Sequence, residues 1–178
     1  IPYDNIDQDC SGSDLNDLDE DGFSSNVVGG LDCNDNDENI NPDAREIIDN
    51  IDQNCRNDPP LLRSNFPGSL NINEDSQLVN FFDLDSFFAD YENDILTFGV
   101  INNTNIEVII NNENKVTFKP NLNFYGSNSL RIVATDDNGA STNSNLITIN
   151  VNPINDRPVL EDITILKVVA TNTLILRP

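Results

Sequence analysis

The run Asp17-Leu18-Asp19-Glu20-Asp21-Gly22-Phe23 places carboxylates at alternate positions and closes on a glycine. Short aspartate side chains at that spacing converge on one point as the backbone turns, which is how a protein assembles an all-oxygen shell for a hard cation. Gly22 permits the sharp turn, and the Phe23 carbonyl falls where such loops add a backbone oxygen. A second array follows. Counting from Asp35, oxygen-bearing side chains recur at positions 1, 3, 5, 7 and 9 (Asp35, Asp37, Asn39, Asn41, Asp43), with Glu46 at position 12 as a bidentate closer and Ile40 where a turn glycine is usual. Asp32 or Asp37 closing the Asp17 site is the alternative grouping. The chain has no His, Met or Trp, so oxygen ligation selects calcium over softer metals, and magnesium suits crowded carboxylates less well.

Composition shows what must position these arrays. Of 178 residues, 31 are acidic and 9 basic, a net charge of −22. Residues 1–58 hold seventeen acidic and two basic residues, a net charge of −15. So acidic a segment, so poor in large apolar residues, cannot offset its ordering entropy by burial and is expected to fold around ions and disulfides or not at all. The charge repels phosphate and argues against nucleic acid. No apolar run spans a bilayer and no signal-peptide pattern opens the chain, so a processed or excerpted soluble segment is expected.

The segment is also repetitive. Tyr3-Asp4-Asn5-Ile6-Asp7-Gln8-Asp9-Cys10 recurs as Ile48-Asp49-Asn50-Ile51-Asp52-Gln53-Asn54-Cys55, 45 positions later, so one complete repeat follows the end of another. The two copies add Asp4, Asp7, Asp9, Asp49 and Asp52 to the candidate ligands. Cys10, Cys33 and Cys55 show no CxxC spacing, which speaks against zinc and iron–sulfur ligation and for a disulfide. Cys10 and Cys55 occupy equivalent places, so Cys33 pairs with one of them. The expectation is Cys33–Cys55 inside the complete unit, with Cys10–Cys33 as the alternative. The order Asp-x-Asp-x-Asp-Gly-Phe, Asp-Cys-Asn-Asp, Ile-Asn-Pro-Asp-Ala-Arg-Glu-Ile, Asp-Asn-Ile-Asp-Gln-Asn-Cys resembles the metal-binding repeat named after the copper-binding protein MopE, itself similar to thrombospondin type 3 repeats. The resemblance covers residues 1–58 and implies a secreted metal-binding module.

Arg56-Asn57-Asp58-Pro59-Pro60 reads as a stiff linker, after which the pattern changes. Seven runs rich in Ile, Val, Leu, Phe and Thr (69–73, 77–82, 95–101, 107–111, 115–119, 129–135 and 144–152) predict an antiparallel β-sandwich over residues 59–158. Asn138-Gly139 signals a hairpin between the last two strands. The fold class is therefore mainly β, a calcium- and disulfide-stabilised loop-rich module followed by an Ig-like sandwich. Ile72-Asn73-Glu74-Asp75-Ser76, Asp90-Tyr91-Glu92-Asn93-Asp94, Phe118-Lys119-Pro120-Asn121 to Tyr125-Gly126, Asp136-Asp137-Asn138-Gly139 and Asn152-Pro153-Ile154-Asn155-Asp156 resemble the landmarks of bacterial cadherin-like, Ig-type repeats. That resemblance implies tandem modules holding calcium where they join, and so implicates Glu74, Asp90, Glu92, Asp94, Asn155 and Asp156. Without an ion these residues read as turn formers.

Residues 159–178 are expected to be the start of a next module or a donor strand, which would pair with neighbouring copies head to tail as a filament subunit. Catalysis is not expected, because the chain offers no His, no Ser in a nucleophile elbow and no phosphate-cradling glycine loop. The reading is a calcium-stabilised extracellular structural or adhesion module of a cell-surface or filament protein. Its alternative is a carbohydrate- or partner-binding accessory module of a secreted enzyme, which would need a platform of exposed aromatic rings, and only Tyr3, Tyr91 and Tyr125 could supply one.

Overall fold

The computed structural model describes residues 2–4, 6 and 15–157. Asp7, Asp9, Cys10 and the segment 159–178, named above, lie outside them. Ten strands follow one another: β1 (Leu61–Leu62), β2 (Ser69–Asn73), β3 (Leu78–Asp83), β4 (Phe88–Ala89), β5 (Thr97–Ile101), β6 (Ile106–Ile110), β7 (Lys115–Pro120), β8 (Gly126–Thr135), β9 (Ser141–Asn143) and β10 (Ile147–Asn152). Period-two alternation decides which face each buries. Leu70 and Ile72 of β2, Leu130, Ile132 and Ala134 of β8, and Ile147, Ile149 and Val151 of β10 turn inward between exposed or half-buried neighbours.

One sheet has the order β2-β10-β8-β5 with β9 also on β8, a second has β3-β7-β6, and β1 and β4 form a short ribbon. Residues of both sheets share one core. Phe82 of β3, Val116 and Phe118 of β7 and Ile106 of β6 meet Leu70, Leu130, Ile132 and Ile149 there. Phe66 anchors one end of it, stacked on Phe87 at 3.9 Å and edge-on to Phe82 at 5.1 Å.

Three details depart from the sequence reading. The sandwich is not wholly antiparallel, since β10 pairs β2 in parallel, Ile149 opposite Leu70. Those strands stand at opposite ends of the domain in sequence, so no hairpin dictates their direction. The last predicted run, 144–152, holds β10 from Ile147, and the short β9 before it lies outside every predicted run. The Asn138-Gly139 turn joins β8 to the short β9, held by Asp136 Oδ1 accepting from the Asn138 and Ala140 N–H groups, and β10 begins only after a jog. Finally β1 and β4, two residues each, are too short to carry a periodic signal.

The acidic segment has little regular structure. A single bridge pairs Ser25 with Asp32, and a 3-10 turn covers Asn26–Val28. The disulfide joins Cys33 to Cys55, with Cα atoms 5.6 Å apart, inside the complete repeat. No helix of the described residues is long and apolar enough to cross a membrane.

Candidate metal centres

Four sets of three carboxylates bring oxygens within 4.8 Å of one another: Asp17, Asp19 and Asp21; Asp19, Asp32 and Asp35; Glu46, Asp52 and Glu92; Asp90, Glu92 and Asp94. Calcium–oxygen distances of about 2.4 Å put oxygens on opposite sides of an ion about 4.8 Å apart, so each set is of the right span. At that distance two like charges repel by about 3 kcal/mol at an effective dielectric near 20, and three together approach the ~5–15 kcal/mol stability of a domain. Protons or a cation at such a set would relieve that repulsion.

The first two sets form one patch. Backbone N–H groups organise the Asp17 loop: Asp17 accepts from Asp21 and Gly22 at 3.2 and 3.0 Å, Asp19 from Asp21 at 3.3 Å, and Asp21 from Phe23 at 2.8 Å. Gly22 sits at φ 97°, the turn its position demanded. Asp32 and Asp35 come from the far side of the Ser25–Asp32 bridge and are buried, 0% and 3% exposed. Their Oδ1 atoms accept from the Asn34 and Leu18 N–H groups. Asp19, Asp21, Asp32 and Asp35 each keep Oδ2 buried and without a partner. Burial, then the charges of Asp21, Asp32 and Asp17, push the Asp19 carboxyl above its usual range.

The second pair of sets has the same character. Glu46 Oε1 accepts from the Asn54 N–H at 2.5 Å, leaving Oε2 buried and unpaired. Asp90 is 6% exposed; its Oδ1 accepts from the Glu92 and Asp94 N–H groups while Oδ2 has no partner. Both oxygens of Glu92 are buried and unpaired. Burial first, then Asp90 and Asp58, push the Glu92 carboxyl up to about 7. Glu46 is raised by burial and by Asp52 and Asp58, and Asp94 by burial and by Asp137 and Asp90. The two ion pairs of the described residues, Lys115–Glu113 and Lys119–Glu107, lie elsewhere on the β3-β7-β6 sheet.

The acidic residues counted from Asp35 do not gather into one set of carboxylates. The first, Asp35, joins Asp19 and Asp32, and the last, Glu46, joins Asp52 and Glu92. Between them Asp37 is satisfied by the Asn39 amide and N–H, which hold its carboxyl below the usual range. Asn41 caps the Asp43 N–H, and Asp49 accepts from Ile51 and Gln53. These behave as turn formers. Asp4 accepts from the Ile6 N–H. The set implicated by the cadherin-like resemblance also divides. Asp90, Glu92 and Asp94 gather where β5 begins and β8 ends, whereas Glu74 is buried at the other end of the sheet, where it accepts from the Ile154 N–H, and Asn155 and Asp156 are exposed.

Residues 57–150, just over half the chain, match the family model of the bacterial Ig domain. The chain belongs to the bacterial Ig domain family. No curated protein matches it at a significant level. Among solved structures, the chain is similar to the endo-fucoidan hydrolase MfFcnA4 of glycoside hydrolase family 107, at 22% identity and a TM-score of 0.40 over 55% of this chain and 14% of that one. Its relative MfFcnA9 gives 20% and 0.37 over 52% and 16%, and an SrpA adhesin variant from Streptococcus sanguinis 12% and 0.34 over 53% and 58%. Likeness at these scores carries no argument about activity. Asp90, Glu92 and Asp94 belong to the Ig domain, and Glu46 and Asp52 lie before the matched residues. Sequence reasoning named all five but left Glu46 and Asp52 apart from Asp90, Glu92 and Asp94, because 40 positions separate Asp52 from Glu92 and no local spacing relates them. It missed Asp136, buried as the cap of the β8–β9 turn.

Proposed function

We propose that the chain is a calcium-stabilised extracellular structural or adhesion module of a cell-surface or filament protein, built from a MopE-type repeat and a cadherin-like Ig domain, and that it is not an enzyme. One observation carries the reading: Asp32 and Asp35, almost fully buried, each commit one oxygen to a backbone N–H and leave the other unpaired toward Asp19, with no ion pair at the set. Buried carboxylates without a cationic partner are costly unless a metal takes that place. An all-oxygen donor set suits calcium. Membership of a bacterial Ig family and the disulfide agree with an extracellular setting, since such bridges persist in oxidising compartments. The alternative as a carbohydrate-binding accessory module gains nothing from the tyrosines, because Tyr125 is exposed but Tyr3 and Tyr91 are half-buried.

Limited proteolysis with and without a calcium chelator tests the reading. With calcium the segment 15–58 resists cleavage; after chelation it is cut while residues 69–152 stay protected. Equal protection in both conditions would sink it.

A further inference from the structure

We infer that Glu92 bridges two cations in a composite centre shared between the acidic repeat, through Glu46 and Asp52, and the Ig domain, through Asp90 and Asp94. The inference deepens the calcium reading and rests on it for the choice of ion. Two sets of three carboxylates meet at one residue, and that residue alone presents two buried oxygens with no hydrogen-bond partner. A carboxylate with both oxygens free can give one to each of two cations. Asp90 provides the independent observation: it is more than nine-tenths buried, its Oδ1 is consumed by the Glu92 and Asp94 N–H groups, and its Oδ2 is left without any partner inside the set. Glu46 repeats the pattern from the other segment, one oxygen on the Asn54 N–H and the other bare.

The centre lies beside a short polar network at the joint. Asn57 donates to Asp136 at 3.2 Å, and the Asn138 amide reaches Asn57 at 2.7 Å and Asp94 at 3.1 Å. The Asn138–Asn57 bond is worth about 1 kcal/mol and the bonds to the Asp136 and Asp94 carboxylates about 1.5–3 kcal/mol each, while the carboxylates on the two sides repel. Filling the centre turns that repulsion into attraction and fixes the repeat on the Ig domain. Emptying it frees the joint. The joint is thus set by cation occupancy.

The test is calcium stoichiometry by calorimetry on the full, chelator-stripped chain, using calcium chloride alone. Glu92→Gln should bind two ions fewer than the native protein, whereas Asp52→Asn and Asp94→Asn should each bind one fewer. Native-like far-UV spectra in the two aspartate variants keep the test open should Glu92→Gln fail to fold: a loss of one ion by each, additive in the double variant, supports the shared centre. In parallel, hydrogen exchange of the peptide around Asn54 should lose its calcium-dependent protection in Glu92→Gln, although Glu92 lies in the other segment. A loss of one ion or none in Glu92→Gln overturns the inference. Asp19→Asn separates the two claims: if it changes nothing while Glu92→Gln loses two ions, the repeat sites fail and the joint stands, and the converse result fails the joint alone.

Discussion

At the scale of single residues, the acidic side chains differ by what their second oxygen meets, not by their spacing. Asp37 and Asp49 satisfy themselves on neighbouring amides and stay as turns, whereas Asp32, Asp35, Asp90 and Glu92 leave buried oxygens bare. Spacing made the Asp17 loop legible, because its ligands are local; it misassigned Glu46, whose partners Asp52 and Glu92 are brought to it by the disulfide-closed repeat and by the loop after β4. Glu92 carries a pH consequence. Its folded carboxyl, pushed up to about 7 from 4.5, holds a proton that the unfolded chain has lost between those values, so the cation-free fold loses stability as pH rises from about 4.5 to about 7. Calcium must displace the same proton. Its affinity at the joint should therefore rise with pH and level off above about 7, by about twentyfold between pH 5.5 and 7.5 for one proton exchanged; calorimetry at three pH values checks this, and an affinity flat across that range would remove Glu92 from the exchange. Gly30 supplies a steric prediction. A Cβ there would lie 1.9 Å from the Ser24 carbonyl oxygen, backbone that itself accepts the Asp32 N–H. Gly30→Ala should displace the Ser25–Asp32 bridge at a cost of about 1–3 kcal/mol and weaken calcium binding at the Asp19, Asp32 and Asp35 set about tenfold or more, read by the same titration.

At the scale of elements, strands with clean alternation were legible to within a residue or two, as in β2 and β5, because burial on one face imposes the period. The jog between β9 and β10 was not, because side chains replace the ladder there. The Ser144 hydroxyl accepts the Ile132 N–H at 2.9 Å, and the Ser144 N–H returns to the Ile132 carbonyl at 2.8 Å. One residue on, the Asn145 amide accepts the Phe66 N–H at 2.8 Å and donates to the Phe66 carbonyl at 2.9 Å, pairing like a strand without being one. No periodicity marks such a substitution of amide for backbone. Asn145 thereby pins the aromatic anchor of the core. Asn145→Ala should cost about 2 kcal/mol, since it removes two hydrogen bonds and loosens Phe66, while Asn145→Asp should keep the acceptor to the Phe66 N–H and lose the donor. Denaturant unfolding of both variants measures it, and a cost below about 0.5 kcal/mol for the alanine variant would show that water replaces the amide.

At the scale of the whole molecule, the two ends of the sandwich are unlike. The acidic repeat joins where β5 begins and β8 ends, and the chain leaves β10 beside the end of β2, at the opposite pole. That polarity suits modules in series, and it bears on the donor-strand reading of residues 159–178. The Ig domain closes its own core: Leu84, Phe118, Leu130, Ile132, Ile147 and Ile149 are fully buried by the described strands. A strand from another copy would therefore have no gap to fill and would have to add to an outer edge such as that of β5 or β6, where Ile101 and Ile109 are already 41% and 46% exposed. Edge addition leaves the host fold intact without its guest. Removal of residues 159–178 should then leave the unfolding midpoint of the Ig domain unchanged, and in sedimentation it should leave monomers where the full chain forms head-to-tail oligomers. Copies bearing a net charge of −22 repel at long range, so oligomers of the full chain should grow with salt and with calcium, both of which screen or neutralise that charge. Oligomers that survive the truncation would remove the segment from the contact. A lowered midpoint would place it on its own domain, as a strand the fold keeps rather than gives.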